Sequence, residues 1–330
     1  MILVTGATGL VGSYLLLQLL QENETVKALY REPKKIQTVK KVFEYKNQLN
    51  VFEKINWIQG DITDIPSLEI AFQEVTQVYH CAALISFDPN DEEKLRKTNI
   101  EGTSNIVNCC IDFKVEKLCY VSSIAALGDT KENEHIITEE TEWNPEKHHS
   151  DYAISKYGAE MEVWRGFQEG LNCVIVNPGI IFGYGFPQQG SSAFFNTIKK
   201  GSTFYTKGKV GIVAVEDVVA IMHLAMKKDI LNERYILVAE NRTYETILFW
   251  IADAMKLKRP FINANKTVTR LAWKADWLLS KLTGRKRKFT KNVAIASHNK
   301  NEYSNEKIIK TLDYTFIEMK HYLSLFAETF

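Results

Sequence analysis

The chain begins Met1-Ile-Leu-Val-Thr-Gly-Ala-Thr-Gly-Leu-Val-Gly12 and continues directly into the leucine-rich stretch Ser13-Tyr-Leu-Leu-Leu-Gln-Leu-Leu20. Gly6, Gly9 and Gly12 thus separate a short apolar run from a longer one. Glycine permits a tight turn between a strand and a helix, and it lets the backbone approach a pyrophosphate lying on the helix N-terminus. The stretch therefore predicts the first β-α unit of a dinucleotide-binding fold, in G-x-x-G-x-x-G spacing. The alternative is an ordinary strand-to-helix turn with close packing.

The rest of the chain alternates short apolar runs with helical patterns. Near-continuous apolar strands are typical of a parallel sheet covered by helices on both faces, so the alternation predicts an α/β fold with a doubly wound parallel sheet (Rossmann fold). The predicted strands are 2–5, 26–30, 56–59, 78–81, 118–122, 172–177 and 235–238. The predicted helices include 10–22, 67–74, 99–113, 152–168 and 217–227.

Beyond about residue 240 the alternation fades, and helical segments rich in lysine and aromatic residues take over. This change predicts a smaller, mostly helical C-terminal lobe that binds the substrate. We expect residues 1–178 and 209–240 to form the dinucleotide-binding domain, and residues 179–208 and 241–330 to form the substrate-binding lobe.

The amino-acid composition indicates which kinds of partner and which cellular compartment to expect. The 41 Lys and Arg residues nearly balance the 40 Asp and Glu residues, which favours a small-molecule substrate over nucleic acid. No apolar run approaches membrane-spanning length and no secretory signal precedes the first strand, so stable membrane insertion is not expected. The cysteines lie in or beside apolar runs without metal-like spacing, which predicts reduced thiols in a cytoplasmic protein. They are Cys81, Cys109, Cys110, Cys119 and Cys173.

The end of the second predicted strand, Ala28-Leu-Tyr-Arg-Glu-Pro33, bears on the choice of cofactor. An NAD-selective protein usually places an acidic residue there to hold the ribose hydroxyls. The Arg31 guanidinium instead suits a 2′-phosphate, so it predicts NADP, with NADPH favoured over NADH. A solvated arginine neutralised by Glu32 is the alternative. Asp61 and Ile62, at the end of the third strand, are placed to meet the adenine.

The chemical signal lies in Tyr152-Ala-Ile-Ser-Lys156, at the start of a predicted helix. Residues four apart share one helical face, so the tyrosine hydroxyl and the lysine ammonium can act on one small volume. A nearby positive charge lowers the pKa of a tyrosine, whose ordinary value of about 10 makes it a poor acid or base near neutrality. Upstream, Cys119-Tyr-Val-Ser-Ser123 ends in serines at the sheet edge where open α/β folds bind ligands.

In these motifs the chain resembles an extended short-chain dehydrogenase/reductase of the NAD-dependent epimerase/dehydratase family. It is most similar to the dihydroflavonol-reductase-like and 3β-hydroxysteroid-dehydrogenase-like branch, from Ile2 to at least Asp217. The matching motifs are, in order, Thr5-Gly-Ala-Thr-Gly-Leu-Val-Gly12, Gly60-Asp-Ile62, His80-Cys-Ala-Ala83, Asn99-Ile-Glu-Gly-Thr103, Val121-Ser-Ser123, Tyr152 to Lys156 and Asn177-Pro-Gly179.

The resemblance implies roles for single residues. Ser123 would hold the substrate oxygen, and Tyr152 would donate the proton in carbonyl reduction or accept it in the reverse direction. Lys156 would grip the nicotinamide ribose and tune the tyrosine. Asn99 matches a helix asparagine for which a structural role and a catalytic role both stay open. The predicted cofactor-binding residues are Gly6, Thr8, Gly9, Leu10, Val11, Gly12, Arg31, Asp61, Ile62, Ala82, Ala83, Tyr152, Lys156, Pro178 and Gly179.

Together these features predict an NADP-dependent carbonyl reductase or alcohol dehydrogenase. Ser123 is followed by apolar residues rather than by the acidic pair of the sugar 4,6-dehydratases, so dehydration is not expected. Ile180 and Phe182 stand near the position of an asparagine that contacts the nucleotide in nucleotide-sugar epimerases, which favours a small, fairly apolar substrate. A nucleotide-sugar epimerase and a non-catalytic NADP-sensing regulator or scaffold are the alternatives. The resemblance also implies a candidate homodimer through the helices 99–113 and 152–168.

Three remaining features receive structural interpretations. His148 and His149 are adjacent and no further cluster completes a metal site, which favours a role in a loop or substrate gate. His80 ends a predicted buried strand. We expect it to be a core histidine whose ring nitrogens are both hydrogen-bonded. Residues 270–288 join a Trp-bearing amphipathic helix to a basic run, and we expect the helix to pack its tryptophan face inward. Contact with a membrane surface or an anionic substrate is the alternative.

Overall fold

The structure is a computed structural model that describes residues 1–131, 134–187, 190–285, 287, 289–327 and 329. Its strands are β1 (Ile2–Thr5), β2 (Val26–Tyr30), β3 (Asn56–Gln59), β4 (Gln77–His80), β5 (Lys117–Val121), β6 (Ile136–Ile137), β7 (Cys173–Pro178), β8 (Ile180–Phe182), β9 (Phe204–Tyr205), β10 (Lys209–Ala214), β11 (Glu233–Leu237), β12 (Glu240–Thr243), β13 (Ile262–Asn263) and β14 (Glu302–Tyr303). Its α-helices are α1 (Leu10–Gln21), α2 (Ile36–Tyr45), α3 (Leu49–Phe52), α4 (Ile65–Ala71), α5 (Glu92–Leu95), α6 (Gly102–Asp112), α7 (Asp151–Gln168), α8 (Ser192–Lys199), α9 (Val215–Lys227), α10 (Tyr244–Ala254), α11 (Lys266–Thr283), α12 (Lys291–Ala296), α13 (Glu306–Leu312) and α14 (Met319–Ala327).

The central sheet has seven parallel strands in the order β11-β7-β5-β4-β1-β2-β3. Every residue of β5 and β7 is buried, as expected for strands with helices on both faces. Strands β1, β2 and β3 have the predicted bounds, and the other four are shifted by one or two residues. The predicted doubly wound parallel sheet is confirmed.

Two apolar clusters fill the space between this sheet and its helices. On one face, Leu15 and Leu19 of α1 pack with Ile221 and Met222 of α9. On the other face, α4, α6 and α7 contribute a second cluster that includes Leu68, Ile106 and Val163. Because successive strand residues point to opposite faces, both clusters draw on the same strands. The carboxyl ends of the strands are thereby held in fixed positions.

A separate lobe is built around a small three-stranded sheet with the strand order β12-β10-β8. Helices α8, α10 and α14 cover it, which agrees with the predicted mostly helical lobe. Strand β10, which the predicted division assigns to the dinucleotide-binding domain, pairs with β8 and β12. Phe182 is fully buried in this core beside Phe195. The inference of an apolar substrate from Phe182 was therefore wrong, since the ring serves lobe packing.

The helix predicted over 99–113 begins with a π-helical turn, Arg96–Glu101, and continues as α6. The Asn99 side chain in this turn accepts a hydrogen bond from Leu84 N at 2.7 Å and donates to Leu84 O at 3.0 Å. It also donates to Ser155 Oγ at 2.9 Å. Asn99 thus ties the segment after β4 to the helix that carries Tyr152. In the part of the chain that the structure describes, no helix is both long and apolar enough to cross a membrane.

Candidate active site

The glycine turn after β1 depends on two positions where a side chain cannot fit. Gly6 has a φ of +64°, and a Cβ atom there would lie 2.5 Å from Ala82 N. A Cβ atom at Gly12 would lie 2.3 Å from Gly6 O, so α1 packs directly on the turn. These contacts fix where the N-terminus of α1 meets the carboxyl edge of the sheet.

Gly9 differs from its two neighbours in the motif because it leaves space open. Its φ is −96°, and a Cβ atom there would meet only Gly6 O, at 3.2 Å. Helix α1 starts immediately after it with no side-chain cap and no acidic residue in its first turn. Its first turn, with Leu10 and Val11, therefore presents backbone N–H groups and the positive end of the helix dipole. A diphosphate fits this arrangement.

A cleft of about 840 Å³ opens at this turn. Among its walls are several of the predicted cofactor residues, which are Gly6, Thr8, Gly9, Arg31, Asp61, Ile62, Ala82 and Ala83. The residues Thr98, Tyr184 and Phe186 belong to its other walls. A cleft of this size can hold a dinucleotide along the carboxyl ends of β1, β2 and β4.

Charged residues of both signs stand at the β2 end of the cleft. Arg31 is 59% exposed and pairs with Asp61 at 3.3 Å and with Glu32 at 3.8 Å. Burial acts to raise the pKa of Asp61, but hydrogen bonds from Thr63 and Arg31 outweigh it, so this pKa is lowered. Two further lysines, Lys35 and Lys41, line the cleft.

Neither Lys35 nor Lys41 is among the cofactor-binding residues predicted from the sequence. Both lie with Thr38 on the cleft wall formed by the start of α2 and the turn before it. The spacing of three residues between Lys35, Thr38 and Lys41 was the available signal, because such residues share a helical face.

The structure brings Ser123 and Tyr152 together. Ser123 follows β5 and caps a short turn by accepting a hydrogen bond from Ala125 N at 3.1 Å. Helix α7 starts one residue before Tyr152 and is capped by Ser150, which accepts from Ala153 N at 3.2 Å. The Ser123 hydroxyl lies near the Tyr152 hydroxyl. Burial raises the pKa of Tyr152, and the Ser123 hydroxyl acts against this rise, so the phenol is protonated near neutrality.

Lys156 lies one turn further along α7 and is 1% exposed. Its Nζ donates to Tyr120 Oη at 2.6 Å and to Val121 O at 2.9 Å. Burial lowers the pKa of Lys156 to about 7, against the opposing charges of Glu160 and Cys81. The ammonium and amine forms are therefore both accessible near neutral pH. Cys81 is part of the cleft wall, which places the field of Lys156 at the cleft.

Tyr120 is a site residue that sequence reasoning missed. Its ring stacks on His80 with centroids 5.4 Å apart. His80 Nε2 contacts Thr103 Oγ1 at 3.0 Å, and His80 Nδ1 contacts Thr5 Oγ1 at 2.6 Å. Burial, followed by the charge of Lys156, lowers the pKa of His80 to about 3. His80 is confirmed as a buried, neutral core histidine.

A buried ion pair supports the end of β5. Glu160 is fully buried, and its carboxylate accepts hydrogen bonds from Ser122 Oγ at 2.7 Å, Asn177 Nδ2 at 2.8 Å and Arg234 Nη1 at 3.0 Å. Asn177 Nδ2 also donates to Ser123 O at 3.1 Å. A buried carboxylate needs such partners, and here they fix the backbone that carries Ser123. The signal in the sequence was Glu160 four residues after Lys156, on the inward face of α7.

The predicted positions Pro178 and Gly179 lie where β7 turns into β8. A Cβ atom at Gly179 would come within 2.4 Å of Gly211 O, so glycine is required there by contact with β10. This packing explains Gly179 without a ligand, and its contact with a cofactor stays a prediction.

Exposed apolar side chains border the tyrosine. The Phe87 ring lies 5.6 Å from the Tyr152 ring, centroid to centroid, and 46% of this residue is exposed. Ile85 in the same segment is also exposed.

The two adjacent histidines serve the loop that leads into α7. The His149 ring stacks on Trp143 at 3.8 Å, and its Nε2 lies 2.9 Å from Asn144 O and 3.3 Å from an Asp129 carboxylate oxygen. His148 contacts Asn292 of α12 at 3.2 Å. Within the described ranges, no group of three or more His, Cys, Asp or Glu residues is arranged to hold a metal ion.

Comparison with known sequences agrees with this geometry. A sequence model of the NAD dependent epimerase/dehydratase family matches residues 2–238. A putative dihydroflavonol 4-reductase of Synechocystis sp. is 30% identical over 264 residues, which cover 78% of this chain and 73% of the relative. Sterol demethylase protein B of Methylococcus capsulatus is 29% identical over 263 residues, covering 78% and 75%.

Solved structures give the same fold. The structure of gox2253 is 25% identical, has a TM-score of 0.80 and covers 98% of this chain and 96% of that one. UDP-glucose 4-epimerase of Thermus thermophilus, in complex with NAD, is 22% identical with a TM-score of 0.74, covering 99% and 97%. Yeast methylglyoxal/isovaleraldehyde reductase Gre2, with NADPH, is 21% identical with a TM-score of 0.75, covering 99% and 97%.

The family match spans well over half of the chain, and the glycine turn, the cleft and the seven-stranded parallel sheet are those of a nucleotide-binding Rossmann domain. The chain belongs to the NAD dependent epimerase/dehydratase family, as an NAD(P)-binding oxidoreductase of the extended short-chain dehydrogenase/reductase type.

Proposed function

We propose that this protein is an NADP-dependent carbonyl reductase or alcohol dehydrogenase that acts on a small, fairly apolar substrate. The observation that carries the proposal is the proximity of the Ser123 and Tyr152 hydroxyls, with Lys156 one turn further along the same helix. Two hydroxyls that lie close together can both reach one substrate oxygen. A protein that only senses the dinucleotide has no need of such a set.

The cofactor residues would be those of the cleft and the first turn of α1, and bound NADPH supplies the hydride. Reduction of a carbonyl builds negative charge on its oxygen, which must be stabilised and then protonated. Ser123 Oγ donates a hydrogen bond to that oxygen. Tyr152 Oη transfers its proton to the same oxygen, because its raised pKa keeps the phenol protonated until charge develops.

Lys156 adjusts the acidity of the tyrosine. Its charged form, held by Tyr120 Oη and Val121 O, stabilises the phenolate that remains after proton transfer. A pKa of about 7 lets the amine gain or lose a proton near neutral pH. In alcohol oxidation the same groups work in reverse, with the Tyr152 phenolate accepting the proton.

The preference for NADP rests on the basic side chains at the β2 end of the cleft. Arg31, Lys35 and Lys41 offer positive charge to a 2′-phosphate, whereas Glu32 and Asp61 oppose it. Arg31 is exposed and its pairs are long, so a phosphate can compete for its guanidinium. The Gre2 reductase structure contains NADPH and supports this choice by analogy.

The substrate class follows from the surroundings of Tyr152. Phe87 and Ile85 expose apolar surface there, which favours a carbonyl compound with an apolar body. The relatives named as a dihydroflavonol 4-reductase and a sterol demethylase protein support this class by analogy.

The domain division and the homodimer are also proposed. We assign residues 1–178 and 209–240 to cofactor binding and residues 179–208 and 241–330 to substrate binding. We also propose a homodimer through the helices 99–113 and 152–168, which light scattering of the purified chain would test.

The experiment that tests the proposed function is a panel of aldehydes, ketones and alcohols, each assayed with NADPH, NADH and their oxidised forms. We expect net oxidation of NADPH by at least one apolar carbonyl compound. Interconversion of a nucleotide sugar without net change in the cofactor would instead support an epimerase, which the family match and the NAD-bound epimerase structure favour as the second candidate. Dinucleotide binding without turnover of any compound would support a sensor.

A further inference from the structure

Helix α11 presents an apolar face to solvent. Its 18 residues, Lys266–Thr283, place Val268, Leu271, Leu278 and Leu282 in one stripe at spacings of three, four and seven residues. Leu271 is 62% exposed and Leu282 is 74% exposed. We call this stripe, with the neighbouring Leu279, the leucine face. A contiguous row of exposed leucines on one helix marks a surface that contacts a partner.

The orientation of α11 corrects in part the prediction that its tryptophan face packs inward, since Trp273 is partly buried but Trp277 is exposed. The buried side of the helix holds Thr269 and Asp276, and Thr269 Oγ1 contacts His298 at 2.9 Å. Trp277 is 47% exposed and lies outside this buried side. The helix therefore packs on α12 through its polar side and turns its leucine face outward.

The charge around α11 is strongly one-sided. Residues 258–300 contain twelve Lys and Arg residues and one acidic residue, Asp276, although the whole chain has 41 basic and 40 acidic residues. The Asp276 carboxylate is paired with Arg285 at 2.8 Å and accepts from Phe289 N at 3.2 Å. Arg259 pairs with Asp253, just outside this region. The region contains ten further Lys and Arg residues but no other acidic residue, while the rest of the chain is net acidic.

The basic and apolar residues of α11 are arranged side by side. Arg270, Lys274, Trp277 and Lys281 form a second exposed stripe at spacings of four, three and four residues, next to the leucine face. The Lys281 ammonium lies 5.4 Å from the Trp277 ring centroid. A row of cations directly beside an apolar face is typical of helices that lie at the boundary of lipid headgroups and acyl chains.

We propose that α11 docks the protein on the surface of an anionic lipid bilayer, with its leucine face in the acyl boundary and its basic stripe among the headgroups. The positive charge of the basic stripe favours an anionic bilayer over other partners. A second copy of the chain would bring two basic stripes together, which repel each other. A nucleic acid would pair with the cations but leave the leucines exposed to water. An anionic bilayer satisfies both stripes at once.

The docking helix is connected to the candidate active site. Helix α12 packs against α11, and its Asn292 contacts His148, four residues before Tyr152. Helix α11 is therefore linked to the segment that leads into α7 through α12, while its leucine face points away from α12. The surface itself is independent of the proposed reaction, since no residue of α11 takes part in the chemistry.

The test is flotation of the full chain with two kinds of vesicle, one of phosphatidylcholine alone and one with phosphatidylglycerol added. We expect binding to the anionic vesicles, weakened by salt, and little binding to the neutral ones. Neutralising two cations, Arg270→Gln with Lys274→Gln, should lower the partition coefficient about 30-fold. Removing two leucines, Leu278→Ser with Leu282→Ser, should lower it at least about 30-fold.

Matched controls change equally exposed residues on other elements. They are Ile65→Ser with Ile70→Ser on α4, and Lys310→Gln with Lys320→Gln on α13 and α14. Both should bind like the wild type, and thermal melting should show that all four variants are folded. Three results would overturn the proposal. These are no binding to anionic vesicles, unchanged binding in both α11 variants, and a concentration-dependent dimer abolished by the leucine variant.

Discussion

Replacing Tyr120 by phenylalanine isolates one hydrogen bond of the candidate site. The variant removes the oxygen that accepts from Lys156 Nζ at 2.6 Å and keeps the ring that stacks on His80. Lys156 then retains Val121 O, at 2.9 Å, as its hydrogen-bond acceptor. Tyr120 is 1% exposed, so water does not replace the lost oxygen without a rearrangement of the core.

The size of the effect follows from the charge of Lys156. A hydrogen bond to a charged group contributes about 1.5–3 kcal/mol, and one pKa unit corresponds to about 1.4 kcal/mol. The neutral amine also loses a partner, so the difference between the two forms lies at the low end of this range. We therefore expect Tyr120→Phe to lower the pKa of Lys156 from about 7 by about one unit.

The assay is an NMR titration of lysine labelled with ¹³C at Cε, with Lys156→Met used to assign the signal. The matched control is Tyr79→Phe, which alters a buried tyrosine on the adjacent strand that packs on the other side of the sheet. It should leave the pKa of Lys156 unchanged. An unchanged or higher pKa of Lys156 in Tyr120→Phe would refute the assignment of Tyr120 as the residue that positions the ammonium.

Three further variants test the cofactor site and the buried lysine. Arg31→Asp should reverse or erase the preference for NADPH over NADH in calorimetry, because repulsion replaces attraction at the 2′-phosphate; equal affinities in the wild type would contradict the prediction. Gly9→Val should abolish NADPH binding and lower the melting temperature without unfolding the protein, since its Cβ makes one tight contact, with Gly6 O at 3.2 Å; retained affinity would show that the phosphates lie elsewhere. Burial depresses the pKa of Lys156 to about 7, so wild-type stability should rise between pH 7 and about 10 by up to about 1.4 kcal/mol per pH unit. Denaturant titrations should find this rise missing in Lys156→Met, and a rise of equal size in both proteins would rule out Lys156 as its source.

Local patterns predicted most of the central sheet. Strands such as β2 and β3 are short apolar runs bounded by turns, and the glycine motif carries its own steric requirement at Gly6. The π-helical turn at Arg96–Glu101 was not predicted, because it coincides with Asn99 reaching the backbone of Leu84, 15 residues away. Contacts between segments, rather than propensity, decide such details.

In the candidate site, too, local spacing was predictable from the sequence and contacts between distant segments were not. Tyr152 and Lys156 were predicted because their spacing on one helix already brings them together. Tyr120 and Glu160 were missed because their partners depend on how α7 packs across β5 and β11. The amphipathic pattern of α11 was visible, yet which of its faces is covered depends on where α12 lies.

The central claim is that Tyr152 donates the proton, and Tyr152→Phe tests it most directly. The measurement compares kcat of wild type and variant for a carbonyl compound found in the panel, alongside the NADPH dissociation constant. The variant keeps the ring and the helix and removes only the hydroxyl that lies near Ser123. We predict that kcat falls by roughly two to four orders of magnitude, with NADPH affinity close to that of the wild type. Turnover near the wild-type rate would contradict the assignment of Tyr152 as the proton donor.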